Sequence, residues 1–432
     1  MSEPISSAVD HERVYRRNFL FFLSDGILFT VAMGIMGTTT VIPDFVRRLT
    51  DSEILIGLSA SLFELGWTLP QLFIARYIVR STWKKWWFIG PNIPVRFVML
   101  AFGIATLLLG PSHSGTILAL FFICYGITAL GDGIVGVPWA DLTGTSLGDK
   151  WRARMFGLQS AIAGLIMLLV APLIERILSN SGPAFPDNYA MLFIVAGLLF
   201  VISNIPTFFI RELPGGKAVD TLPSLREFLP DLGRLLRTDS TFRAIIATRM
   251  LTTLFAMAGP FYIGYATTTL GLSSETAVPG LLAMQTIGGL SGAMLYTWLG
   301  ARNNLLFIRL ALIGAAALPI SALASTQGAP WPLYFGFLMS GLTLSNLFLS
   351  YLHYVISHAP IDQRPVYAGL FNTFAAVIAL IAPFIAGTIA QGPGYETLFI
   401  VALAMAGVAL FVSIRYLGQP GMRPGIAVAS AD

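Results

Sequence analysis

Long apolar segments alternate with short polar connections along most of the chain. Twelve of these segments each hold about 20 or more mainly apolar residues, enough for an α-helix to cross the hydrocarbon of a bilayer. The pattern therefore predicts an all-α integral membrane protein with twelve transmembrane helices. The predicted spans are 18–42, 54–76, 86–110, 115–140, 154–178, 189–210, 243–269, 276–299, 304–325, 331–357, 365–391 and 395–417.

One polar connection is far longer than the rest and separates the first six spans from the last six. It covers residues 211–242 and carries LPGGK, which is typical of a linker, followed by SLREFLPDLGRLLR. In the second stretch Ser224 and Glu227 fit a capping box, so we expect a short helix at the membrane surface, bent at Pro230. An irregular tether is the alternative, because proline and glycine interrupt the stretch.

The two sets of six spans are weakly similar in sequence. WRARMFGLQSAIAGLIMLLVAP in the first set corresponds to DQRPVYAGLFNTFAAVIALIAP in the second, so that Gly157 matches Gly369. Two parallel six-helix repeats, related by an axis along the membrane normal, are the expected arrangement. The predicted parts are an N-terminal tail over 1–17, a first half over 18–210, the central loop over 211–242, a second half over 243–417 and a C-terminal tail over 418–432.

The composition fits a membrane protein and excludes several other classes. Hydrophobic residues make up 55% of the 432 residues and charged residues 11%, whereas soluble domains carry about 25% charged residues. Cys124 is the one cysteine, so an intramolecular disulfide and a cysteine metal cluster are excluded. His11, His113, His353 and His358 form no close pair in the sequence, so no metal site is expected.

Basic residues are concentrated in the connections on one side of the predicted bundle. The N-terminal tail, the loops after spans two and four, and the central loop are basic, whereas the opposite loops offer Arg47, Arg48 and Arg176. The positive-inside bias therefore predicts that both termini are cytoplasmic. The same distribution accounts for the net charge of +4 without a nucleic-acid partner.

Several short stretches make the chain resemble the major facilitator superfamily. WRARMFGL, with Arg152, Arg154 and Gly157, is similar to the family's basic motif at the entry to span five, and APFIAG and GYETLF are also similar to family sequences. Between spans two and three, QLFIARYIVRSTWKK keeps Arg76 but has Ala75 where the family has aspartate. Span five lacks the Gly-Pro signature of the antiporters, which argues against a drug–proton antiporter.

The resemblance implies a secondary active transporter that moves a small organic solute by alternating access in the plasma membrane, here a bacterial inner membrane. No P-loop pattern is present, so a gradient would supply the energy, and the intramembrane carboxylates favour protons and a symporter. We expect a monomer in the lipid bilayer with no cofactor. An enzyme is not expected, because single carboxylates on different spans form no catalytic set. A non-transporting receptor or sensor on the same scaffold and an uncoupled facilitator are the alternatives.

Five ionisable side chains fall at membrane depth, namely Asp25, Glu64, Arg96, Asp132 and Arg249. Such groups must face the bundle interior or a wet cavity. Counting residues to the cytoplasmic ends at about 1.5 Å each puts Glu64, Arg96 and Asp132 near the midplane, where carriers of this kind bind solute. Asp25 and Arg249 share a depth closer to the cytoplasm.

These positions predict a central substrate and proton site formed by Glu64, Arg96 and Asp132. The family resemblance implies that the fourth span of each half lines the cavity, and it therefore adds Asn346 to this site. Glu64 is the expected counter-ion of Arg96. Protonation of Glu64 would free Arg96 to bind a solute, and the two ligands would then be coupled. A permanent structural ion pair is the alternative.

Two further groups of charges are predicted nearer the cytoplasm. Asp25 and Arg249 would form a gate between the halves, unless each is satisfied within its own half. The expected structural anchor of the cytoplasmic loops consists of Arg76, Asp141, Arg152 and Arg154.

Polar side chains at helical spacing predict a wet path through the bundle. In span two, Ser61, Glu64, Thr68 and Gln71 fall on one face. Any single amide could equally join two helices, and the glycines at 288, 289 and 292 predict close helix packing in span eight. The candidates for lining the path are Gln71, Tyr125, Gln159, Gln285 and Asn372.

Overall fold

The computed structural model describes residues 8–78, 81, 83–179, 181–213, 235–300, 302–344, 346–359 and 364–418. These residues form α-helices joined by short turns. The helices are α1 (Ala8–Met36), α2 (Val41–Arg47), α3 (Glu53–Ile78), α4 (Lys85–Leu109), α5 (Ser114–Ser146), α6 (Asp149–Leu178), α7 (Asp187–Thr207), α8 (Ser240–Ala256), α9 (Phe261–Gly264), α10 (Ser274–Leu295), α11 (Asn304–Ala315), α12 (Ala317–Ala324), α13 (Trp331–Leu344), α14 (Leu347–His358), α15 (Arg364–Gln391) and α16 (Tyr395–Tyr416).

Eleven helical segments within the described residues are long and apolar enough to cross a membrane. They coincide with eleven of the twelve predicted spans, so the multi-pass helical architecture is confirmed. The second predicted span corresponds to α3, a helix of 26 residues that falls outside the eleven. Its apolar residues are interrupted by Glu64, Thr68, Pro70 and Gln71. A count of twelve spans and cytoplasmic termini remain predictions.

Several spans predicted as continuous helices are broken, and proline accounts for two of the breaks. A proline within a helix cannot donate a hydrogen bond and its ring clashes with the carbonyl four residues before it. Accordingly α8 ends at Ala256, four residues before Pro260, and α11 ends at Ala315, four residues before Pro319. The tenth predicted span is also interrupted, and the break leaves Asn346 between α13 and α14.

The two ends of the bundle are packed differently. We call the end where α1 begins and α16 ends the tail face, and the opposite end, which contains α2, the loop face. On the loop face one apolar cluster joins both halves and includes Phe45, Tyr189, Phe261 and Phe399. On the tail face the described residues form two separate apolar clusters, one in each half. The halves therefore share a core at the loop face and have separate cores at the tail face.

Two helix pairs carry most of the contact between the halves. Helix α3 packs against α15, and α6 packs against α10. A Cβ added at Gly387 on α15 would lie 2.6 Å from the Cα of Ile54 on α3, so these backbones approach closely near the loop face. The second and fifth spans of one half thus meet the fifth and second spans of the other, which is the exchange that a twofold axis produces.

Glycines permit an equally close approach between α10 and α13. A Cβ at Gly288 would overlap the carbonyl oxygen of Leu338, and a Cβ at Gly292 would overlap that of Leu342. The predicted packing role of these two α10 glycines is confirmed. The predicted surface helix of the central loop, with Ser224 and Pro230, lies outside the described residues.

Candidate functional site

A carboxylate and a guanidinium from opposite halves meet in the middle of the bundle. Glu64 lies near the centre of α3, and Arg249 lies in α8. Arg249 Nη2 donates to Glu64 Oε1 at 3.4 Å. The side chain of Glu64 is 51% exposed and that of Arg249 is 15% exposed. The carboxylate therefore faces open space at the junction of the halves.

Aromatic rings hold the guanidinium of Arg249. Its Cζ lies 5.4 Å from the ring centre of Phe348 on α14 and 6.0 Å from that of Phe371 on α15, within the range of cation–π attraction. Nearby, the hydroxyls of Tyr351 and Thr252 share a hydrogen bond of 2.8 Å. Arg249 is thus fixed to the second half, although its counter-ion belongs to the first.

The other three predicted intramembrane charges form a cluster inside the first half. Arg96 Nη1 on α4 lies 3.1 Å from Asp132 Oδ1 on α5. Asp25 on α1 lies within electrostatic range of both and faces the hydroxyl of Ser203 on α7. All three charged side chains are buried. Four helices of one half therefore converge on these charges.

Aromatic rings pack against the guanidinium of this cluster, and the charges of the cluster do not sum to zero. Arg96 Cζ lies 4.7 Å from the ring centre of Phe29 and 5.3 Å from that of Phe200. Among the described residues, Asp25 Oδ1 and both carboxylate oxygens of Asp132 are buried without an aligned hydrogen bond. Two carboxylates around one guanidinium carry one excess negative charge when all are ionised, which is costly in an apolar interior. Such a cluster is suited to bind one small cation.

These contacts differ from the predicted pairs. Arg96 pairs with Asp132 instead of Glu64, because α4 packs between α5 and α7 and turns its charged face toward them. Asp25 faces α4 and α7 of its own half, so the predicted gate with Arg249 is not formed in this structure. The roles of these five residues in transport remain predictions.

The remaining polar candidates differ in how deeply they are buried. Asn346 lies at the break between α13 and α14, where its amide nitrogen is buried without a hydrogen-bond acceptor among the described residues. Gln159 Nε2 donates to Thr30 Oγ1 at 3.0 Å and so joins α6 to α1. Tyr125 is fully buried on α5, on the side of that helix that carries Asp132. Gln71, Gln285 and Asn372 are half-buried, as is Gln159.

A polar link between the halves on the loop face was not predicted from the sequence. Arg47 at the end of α2 donates to Glu53 at 2.7 and 3.1 Å and to the hydroxyl of Tyr395 at 2.8 Å. The Tyr395 hydroxyl in turn donates to Glu53 at 2.6 Å. A Cβ at Gly264 would overlap the Arg47 guanidinium. Arg47 and Glu53 lie six residues apart on either side of one turn, and this spacing was a sequence signal for their ion pair. Nothing in the sequence points to Tyr395, which lies 348 residues from Arg47.

Asp44 makes a second polar link on the same face. It is buried on α2, and it accepts hydrogen bonds from Tyr189 of α7 and from Ser274 of α10, the latter at 3.1 Å. Arg48 Nε lies 3.5 Å from the same carboxylate. The short helix α2 therefore connects both halves, and we call the links made by Arg47 and Asp44 the loop-face latch.

The tail-face anchor uses different partners from those predicted. Asp141 pairs with Lys84 Nζ at 2.6 Å instead of with Arg152 or Arg154. Arg152 donates to the carbonyl of Gly144 at 3.4 Å, and Arg154 lies over the rings of Phe19 and Trp151. The difference arises because Lys84 directly precedes α4, and α4 packs against α5. The ammonium group of Lys84 therefore reaches Asp141 near the end of α5. The side chain of Arg76 lies outside the described residues.

A carboxylate on the tail face of the second half organises the start of α8. Asp239 accepts from the backbone of Phe242 at 2.8 Å and from the hydroxyl of Tyr367 at 3.0 Å, and it lies 2.8 Å from His358 Nε2. Burial opposes ionisation, but the hydrogen bonds from His358 and Phe242 outweigh it and lower the pKa of Asp239 to about 2. Among the described residues, no group of three or more His, Cys, Asp or Glu could hold a metal ion.

Comparison with known proteins places the chain by sequence and by fold. The family model described as Major Facilitator Superfamily matches residues 24–383. No curated protein matched the sequence.

Solved structures of membrane transporters share the fold. A point mutant of the nucleoside transporter NupG has a TM-score of 0.71 at 12% identity, covering 93% of this chain and 100% of that chain. The D-xylose-proton symporter has a TM-score of 0.69 at 13% identity, covering 94% and 98%. A bacterial homologue of the iron transporter ferroportin, in an inward-facing state, has a TM-score of 0.66 at 15% identity, covering 95% and 99%. At these identities the likeness concerns the fold alone.

Proposed function

The chain belongs to the major facilitator superfamily, and from that premise we propose that it is a secondary active transporter of the plasma membrane that moves a small organic solute by alternating access. The solved structures of similar fold are named as a nucleoside transporter, a D-xylose-proton symporter and a bacterial homologue of an iron transporter. They support membrane transport, while their solutes are too diverse to suggest one for this chain.

The observation that carries the proposal is the unequal packing of the two ends. The halves share one apolar core and the loop-face latch at one end, but they have separate cores at the other. A carrier that alternates must be closed at one face while the other is open. With the tail face cytoplasmic, as the basic loops indicate, this conformation is open to the cytoplasm.

The solute site in this proposal lies between Glu64 and Arg249, at the junction of the halves. Opposite charges on opposite halves attract each other when no solute is present. A solute that binds both groups would replace their contact and connect the halves in its place. Asn346, whose amide is unsatisfied at a helix break, is a further candidate for solute contact.

The proton site in this proposal is the buried cluster of Asp25, Arg96 and Asp132. One proton would balance its excess negative charge, and intramembrane carboxylates are the usual proton carriers in such proteins. The cluster shares α4 and α5 with the core of the first half, and α5 packs against α3, which bears Glu64. Loss or gain of the proton would therefore change the packing behind the solute site.

Solute flux in reconstituted liposomes tests the function. Purified protein would be exposed to a broad panel of labelled solutes, with and without an imposed pH gradient, beside protein-free liposomes. Uphill accumulation that follows the pH gradient is the expected result. Solute flux that does not depend on the pH gradient would support an uncoupled facilitator. Specific solute binding without flux would support a receptor instead.

A further inference from the structure

The charges that face the space between the halves are few and opposite. Of the five charges predicted at membrane depth, Asp25, Arg96 and Asp132 are buried within the first half. Glu64 and Arg249 remain at the junction, one from each half. A solute that enters from the open side therefore meets a neutral pair of one carboxylate and one guanidinium.

The two members of this pair differ in how they are held. Arg249 lies against Phe348 and Phe371, and its Nε is buried without an acceptor among the described residues. Glu64 is half exposed and contacts Arg249 through a single hydrogen bond of 3.4 Å. A half-exposed pair of this length contributes little to stability. The contact is weak enough for a solute to replace it.

The charge of the solute decides whether that replacement is favourable. A purely cationic solute would pair with Glu64 and leave Arg249, mostly buried, without a counter-ion. A purely anionic solute would pair with Arg249 and leave Glu64 beside it as a like charge. Either solute leaves one charge of the pair without its partner, and this loss is most unfavourable for Arg249, whose side chain is 15% exposed. A solute that carries both charges leaves neither group unpaired.

On the basis of the proposed function, we infer that the transported solute is a zwitterion, with an ammonium group that binds Glu64 and a carboxylate that binds Arg249. The planar guanidinium suits a carboxylate because it can donate two parallel hydrogen bonds. An ammonium group supplies the donors that the exposed oxygens of Glu64 can accept. Phe348, which is 40% exposed, offers an apolar surface for the rest of the solute.

A zwitterion bound to both groups has a fixed orientation, and its binding is linked to the movement of the halves. The ammonium group contacts the first half and the carboxylate contacts the second. When the halves rock against each other, a bridging zwitterion keeps both charges paired, whereas a singly charged solute keeps only one. Solute binding therefore lowers the cost of separating Glu64 from Arg249.

Matched solutes test the charge requirement directly. Liposomes that contain the protein would be offered each neutral standard amino acid, its methyl ester as the cation and its N-acetyl derivative as the anion. We expect at least one amino acid to be transported about tenfold faster than both of its derivatives, as the loss of one charge-assisted hydrogen bond predicts. Preferred transport of an ester or an N-acetyl derivative over its parent would overturn the inference.

Reciprocal variants sharpen the test. In Glu64→Gln the preference should shift about tenfold toward the N-acetyl derivative, and in Arg249→Gln about tenfold toward the ester. Exposed residues supply matched controls, Glu175→Gln and Arg415→Gln, which should keep the wild-type preference. Shifts in the same direction, or none, would contradict the inference. If no solute of any charge moves through the wild-type protein in this panel or the broad one, the proposed function itself fails.

Discussion

The guanidinium of Arg47, on the first half, donates a hydrogen bond of 2.8 Å to the hydroxyl of Tyr395, on the second half. Glu53 accepts from both groups, so the three side chains form a closed triangle across the loop face. Together with Asp44 and Ser274 they form polar contacts between the halves at this face.

Removing the Tyr395 hydroxyl should favour opening of the loop face. Tyr395→Phe keeps the ring but deletes two hydrogen bonds to charged groups, a loss of about 1–2 kcal/mol, or roughly a five- to thirtyfold shift in the conformational equilibrium. Electron–electron distances between spin labels at Ser112 and Gln327, in a background with Cys124 replaced by serine, should lengthen. Tyr416→Phe, at an exposed tyrosine of the tail face, should leave the distances unchanged. Equal distances in both variants would show that the latch does not hold the face.

Removing the cation of the buried cluster should destabilise the protein strongly. Arg96→Gln leaves Asp25 and Asp132 facing each other without a counter-ion, at a cost of about 3–5 kcal/mol. Thermal unfolding in detergent should show the loss, and the exposed Arg415→Gln should not. The double variant Arg96→Gln, Asp132→Asn should recover part of the stability, because it removes one of the two repelling carboxylates. A double variant no more stable than Arg96→Gln would argue against the charge balance described for the cluster.

A methyl group at the α10–α13 contact should disrupt packing. A Cβ at Gly288 would meet the backbone oxygen of Leu338, which cannot move without shifting α13. We expect Gly288→Ala to cost about 1–3 kcal/mol by overpacking. Gly407→Ala is the matched control, because nothing lies within 4 Å of a Cβ there and an alanine within a helix is slightly stabilising. Thermal unfolding of the two variants measures the difference, and equal stability would contradict the close approach.

Acidic pH should remove the contribution of the Asp239 carboxylate to the stability of the folded protein. Its pKa is lowered to about 2 in the folded protein, whereas an unfolded aspartate titrates near about 3.9. The stabilisation by the carboxylate is therefore present above about pH 4 and is lost as the pH falls toward 2. Asp239→Asn keeps the ability to cap α8 but loses the charge. It should be less stable than the parent near neutral pH, and the difference should shrink steadily below pH 4. A difference that is constant with pH would assign the effect to packing.

The helical membrane architecture could be predicted because its signals are local. A run of apolar residues needs no distant partner to indicate a span, and Pro260 and Pro319 break their helices through bonds to residues only four positions away. The second predicted span, α3, falls outside the eleven segments of the described residues that are long and apolar enough to cross a membrane. Glu64 and Gln71 interrupt the apolar residues of α3, and Glu64 is the carboxylate that meets Arg249 of the other half.

The partners of the charged residues could not be predicted from the sequence. Arg96 was expected to turn inward toward a neighbouring span, and it does, but it meets Asp132 instead of Glu64. Asp141 was expected beside Arg152 and Arg154 but pairs with Lys84. In each case the depth of a residue followed from counting along the helix, whereas the neighbour depended on how adjacent helices are rotated about their axes.

By itself the sequence determined that the chain lies in a membrane, where its helices run and which charges lie at depth, because hydrophobic burial and backbone hydrogen bonding act within a segment. The tertiary structure alone decided that Glu64 faces Arg249 across the halves and that Arg47 reaches Tyr395. Coulomb attraction and hydrogen bonding depend on separations of a few ångströms. Such separations are set by the packing of helices whose contacting residues lie 185 and 348 positions apart in the chain.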